Sequence, residues 1–69
     1  MSAESIQQLL EKQPFEPFEV RMSHGEVHQV KHPEFAFVLK SNLIIGYPGT
    51  DRFAICSLMH ITQLTHQAA

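Results

Sequence analysis

The chain has 69 residues, room for one hydrophobic core and no second, so 1–69 is read as a single domain. Five Lys and Arg against seven Asp and Glu give a net charge of −2, which supplies no global attraction to nucleic acid or to anionic lipid. Cys56 is the single cysteine, which excludes an internal disulfide framework and leaves a metal or oligomerisation as the usual supports for so thin a core.

The opening stretch, "MSAESIQQLLEKQ", is polar and amphipathic. It lacks the pattern of a secretion signal, and no apolar run approaches the ~18 residues of a membrane span. With one unpaired cysteine, these features predict a soluble, cytoplasmic protein with no membrane contact. Ser2 stands as an N-cap before Glu4, and Ile6, Leu9 and Leu10 recur at helical spacing, predicting a helix from about residue 3 to about residue 12. Pro14 ends it.

From Phe18 the period changes to two, with Phe18, Val20 and Met22 on one side and Glu19, Arg21 and Ser23 on the other, the pattern of a half-buried strand. His24 and Gly25 occupy a tight turn, and "EVHQVKH" resumes as the second strand of a hairpin. Pro33 and Glu34 bend the chain. "FAFVL", "LIIGY" and "FAICS" carry the β-branched and aromatic content of strands, separated by the turn clusters "KSN" and "PGTDR". Whether residues 35–39 form a barrel strand or an excursion is left open by the pattern. Ile61 to Thr65 reads as a last strand after the turn "LMH". The expected core is Phe18, Val20, Ile45, Phe53, Ile55, Ile61 and Leu64, taken by alternation within each strand. The fold class is therefore mainly β with one short N-terminal helix, built as a small bent antiparallel β-barrel of Sm-like or SH3-like type over about 18–66.

His24, His28 and His32 repeat every fourth residue. On a strand such residues lie ~13 Å apart, too far for one ion whose ligands sit at about 2.0–2.1 Å, so no metal site and no cofactor are expected. Cys56, flanked by Ile55 and Ser57 in an apolar run, reads as a small core residue, not an activated thiol. Ser23 and His24, as neighbours on a strand, point to opposite faces and make no nucleophile–base pair. The three glycines form no phosphate-cradling loop, and no spacing assembles a catalytic set. A non-enzymatic protein is expected.

"QPFEPF", "HG", "VKHPEF" and "LMHITQL" together resemble a family of short bacterial proteins with a PF-x-PF start, V-x-HP-[DE] and a closing I-T-x-[LI]; the resemblance covers most of the chain after Gln13 and brings no established activity. More distantly, the order of a short helix, a bent barrel and a tight turn before the last strand is similar to the Sm-like fold of the Hfq type. There "SLMHITQL" looks like the turn whose Lys-His pair helps to bind uridine. His60 matches the histidine and Met59 stands in the lysine's place. Gln7 and Gln8 lie on the helix, where the family carries a glutamine. The resemblance implies a homo-oligomer with single-stranded RNA as partner and His60, Gln7 and Gln8 as the RNA-binding residues. The alternative is a protein–protein interaction module with no nucleic-acid role, favoured by the acidic balance and by Lys and Arg residues that stand singly along the chain. Unpaired strand edges are an independent reason to expect assembly.

Overall fold

The computed structural model describes residues 1–66. One helix, α1 (Ala3–Glu11), precedes six strands: β1 (Phe18–Met22), β2 (Val27–Val30), β3 (Ala36–Val38), β4 (Asn42–Gly46), β5 (Phe53–Ser57) and β6 (Ile61–His66). Short 3-10 turns occupy Pro33–Phe35 and Leu58–His60. Ser2 caps α1, its Oγ accepting from the Ser5 N–H at 3.1 Å, which satisfies one of the donors a helix leaves free at its start. The helix buries Ile6 and Leu10 over the core, with Ala3 and Leu9 packed at its margin.

The strands form two antiparallel sheets, β2-β1-β6 and β3-β4-β5. They do not close into the expected barrel. Among the described residues β2, β6, β3 and β5 each pair on one side only, and the turn at Pro33–Phe35 separates β2 from β3.

Turn chemistry fixes the register. Gly25, at φ 98°, adopts the left-handed conformation that favours glycine. Its N–H donates to Met22 O at 2.9 Å while the Met22 N–H donates to Glu26 O at 2.8 Å, giving a three-residue hairpin loop closed by a bulge. Even-numbered residues of both strands therefore face inward, with Val20 opposite His28 and Phe18 opposite Val30. Leu39 N–H to Asn42 O at 2.8 Å closes the β3–β4 turn, and Tyr47 N–H to Arg52 O at 3.2 Å closes the β4–β5 turn. At the β1–β6 junction the register shifts between Arg21 and Met22, and the Thr62 hydroxyl donates to Arg21 O at 3.2 Å.

The core comprises Ile6, Leu10, Phe18, Val20, Met22, Val30, Ala36, Leu43, Ile45, Cys56, Leu58 and Ile61. Phe18, Val20, Ile45 and Ile61 lie where alternation places them, and Leu64 is half-buried. Phe53 and Ile55 do not: they are 65% and 62% exposed, and Ala54 and Cys56 take the inner side of β5. The inner surface of this sheet is made of cross-strand rows Ala36–Ile45–Ala54 and Val38–Leu43–Cys56.

Candidate functional site

The sequence places its RNA-binding candidates on His60, Gln7 and Gln8. All three side chains are exposed. His60 closes the Leu58–His60 turn, and its backbone carbonyl accepts from the Ser23 N–H at 2.7 Å, which ties the turn to the β1–β2 hairpin. Its imidazole makes no hydrogen bond among the described residues. Gln7 donates through Nε2 to Glu11 Oε2 at 3.0 Å, a bond within the helix, and no hydrogen bond joins either glutamine to His60. Met59, beside His60, is 81% exposed. Of the cations, Lys12 pairs with Glu16 at 2.9 Å, and this ammonium holds the Glu16 carboxyl below its ordinary range.

The three spaced histidines separate into different surroundings. His32 is exposed and meets Phe35 edge to face, ring centroids 5.9 Å apart. His24, in the turn, approaches the Glu26 carboxylate at 3.8 Å. His28 bonds the other oxygen of that carboxylate through Nε2, so the turn brings two of the three to one acid, closer than extended spacing suggests. On its far side His28 Nδ1 meets the Tyr47 hydroxyl at 2.6 Å. With Nε2–H donating to the carboxylate, Nδ1 is the acceptor and Tyr47 the donor. This chain, Glu26–His28–Tyr47, links the first sheet to the end of β4. Burial pushes the Tyr47 hydroxyl up, with smaller contributions from Cys56 and Glu26, so Tyr47 keeps its proton. Burial, with a smaller contribution from Glu26, likewise pushes the buried Cys56 thiol up. Neither group is prepared as a nucleophile.

The chemistry that sequence reading missed lies on the outer faces of the sheets. Outside the first sheet stand Glu19, Arg21, Val27, Gln29, Gln63 and Thr65, a mainly polar surface. Outside the second, Phe37, Ile44 and Ile55 sit directly opposite one another across three strands. Phe37 is 64% exposed, and Phe53 and Leu39 extend the patch. No charged residue interrupts it within β3, β4 or β5.

This face borders an unpaired edge. Because Tyr47 bonds Arg52 and Leu58 N–H bonds Ser41 O at 2.9 Å, the alternation of an antiparallel ladder commits Ala54 and Cys56 to β4 and turns the backbone groups of Phe53, Ile55 and Ser57 outward. By the same parity, Leu64 and His66 of β6 turn theirs away from β1.

No family model, no curated protein and no solved structure matches the chain. Among the described residues no helix is long and apolar enough to cross a membrane.

Proposed function

We propose that the chain is a non-enzymatic assembly and binding module, Sm-like in architecture, that works as a homo-oligomer in the cytoplasm. The observation that carries this reading is the contrast between the two outer faces: one polar, the other a charge-free patch of Phe37, Ile44, Ile55, Phe53 and Leu39 beside the open edge of β5. At roughly 100 Å² of exposed surface for each of the four exposed side chains, Phe37, Leu39, Phe53 and Ile55, the patch reaches about 400 Å², the scale at which exposed apolar surface marks an interface.

Strand order supports the Sm-like part. With β2 and β3 taken as halves of one bent strand, the order runs β6-β1-β2/β3-β4-β5, an open, bent, five-stranded sheet that follows a short helix and has a tight turn before its last strand. Pairing the β5 edge of one copy with the β6 edge of the next covers these two edges and continues the sheet across the boundary, a heterologous contact that makes a ring where the rotation between copies closes; a two-fold dimer is the other symmetric arrangement.

Of the two partner readings, protein contact has the stronger support, since exposed apolar surface is abundant and cations are dispersed. Single-stranded RNA rests on His60, with Gln7 and Gln8 on a separate element. Hydrogen exchange tests the assembly at its edge: the amides of Phe53, Ile55 and Ser57, which no intrachain strand covers, exchange slowly in the wild-type protein if β5 is paired between copies. Fast exchange at all three contradicts the reading. Titration with uridine-rich oligomers at low salt separates the partners, because phosphate-dependent binding appears there and falls steeply with added salt; no binding leaves the protein module.

A further inference from the structure

We infer that the groove beside β2 is a docking site for an extended segment of a partner protein, taken up as an additional strand and carrying an acidic residue at the end next to Lys31. The inference goes beyond self-assembly and uses a different edge of the molecule.

The groove has a volume of about 480 Å³ and runs between β2 and the end of β4. Its apolar walls include Val27, Phe35, Tyr47 and Pro48, of which Phe35 is 41% and Val27 38% exposed. The volume lies within the range of sites that enclose a few side chains.

The hydrogen-bond parity of the hairpin identifies the binding mode. Since Met22 N–H bonds Glu26 O, the bonded pairs of the ladder are Met22–Glu26, Val20–His28 and Phe18–Val30. Val27 and Gln29 occupy the alternate positions and turn N–H and C=O away from β1, toward the groove. Neither has another backbone partner among the described residues. An extended backbone laid along β2 satisfies these groups, and alternate side chains then enter the apolar walls, which is strand addition at a sheet edge.

Charge gives the ligand its polarity. At one end Glu26 is already engaged by His28 and His24. At the other, Lys31 and His32 line the groove, and Lys31 makes no ion pair among the described residues; Glu34, further along the chain, does not line it. A ligand with an acidic residue at that end meets an unengaged ammonium. Nucleic acid fits less well, because the groove presents a single lysine and a row of backbone groups suited to another peptide.

The test uses the full-length protein and a blocked peptide of alternating valine and threonine ending in glutamate, with a lysine-ended counterpart and one N-methylated at alternate positions. Amide NMR shifts are followed during titration. We expect saturable shifts at Val27, Gln29 and Lys31 with the glutamate peptide and loss of binding on N-methylation. Lys31→Glu weakens the glutamate peptide about two- to fivefold, the worth of one exposed ion pair, and shifts preference to the lysine peptide. Shifts confined to β5 and β6, equal binding of both peptides by wild type and Lys31→Glu, or no binding by any peptide overturns the inference. So does slow exchange of the Val27 and Gln29 amides without peptide, which means a second copy already fills the edge, or saturation of the same amides by oligouridine.

Discussion

His28 lies on the inward face of β2, opposite Val20, and is kept polar by its two partners. A buried imidazole costs stability unless both nitrogens are satisfied, and Glu26 and Tyr47 satisfy both. Tyr47→Phe removes the donor to Nδ1, and we expect a loss of about 1 kcal/mol, read from the denaturant midpoint. An unchanged midpoint means that water replaces the hydroxyl. Cys56 gives a pH prediction. Its folded-state value is raised above the ordinary 9.0, so the folded protein holds the proton after the unfolded chain has released it. The stabilisation is complete below pH 9 and is lost as pH rises through the folded value. Tyr47 acts in the same direction from its ordinary 10.0 upward. The denaturation midpoint should therefore fall above pH 9, and Cys56→Ala should flatten the onset of that fall. An identical alkaline profile in the variant contradicts the burial of the thiol.

Elements differ in how openly the sequence declares them. The helix was legible because Ser2, Ile6, Leu9 and Leu10 agree on one cap and one face, and β1 because large apolar and charged residues alternate strictly from Phe18. β5 was misread for a physical reason: in "FAICS" every residue from Phe53 to Cys56 is apolar, and size favours Phe53 and Ile55 for the interior. The interior takes Ala54 and Cys56 instead, the residues that stand opposite the inward Ile45 and Leu43 of β4. Parity could have been reached only through the ladder with β4, where Leu43 and Ile45 are already inward, and that register depends on turns whose geometry composition does not specify. The candidate site was less legible than the fold. Its patch joins Phe37, Ile44 and Ile55 from three strands, and no spacing along one segment reveals it. Truncation separates the two faces of the sheet: Leu43→Ala should cost about 2–5 kcal/mol of subunit stability. Ile55→Ala should cost about 0.5 kcal/mol or less once the protein is diluted to single subunits. Equal losses measured by chemical denaturation under those conditions would place Ile55 back in the core.

For the molecule as a whole, two three-stranded sheets and one helix bury a single core in which Cys56 is a free thiol. Domains of this size hold only a few kcal/mol in reserve. In the proposed homo-oligomer the outward patch and the open edges of β5 and β6 are complementary parts of one arrangement, in which copies cover surface that a lone subunit leaves in water. A standard interface removes about 800 Å² from each partner, roughly twice the patch alone, so the adjoining strand edges contribute the remainder. The most direct test is sedimentation equilibrium of the wild-type protein beside Ile55→Asp, which sets a charge in the middle of the patch without touching the core. The wild type should sediment as one discrete oligomer, and Ile55→Asp as a folded species of one chain's mass, 7.9 kDa. A wild type that is monomeric at every concentration, or an Ile55→Asp variant that keeps the full oligomeric mass, contradicts the assembly.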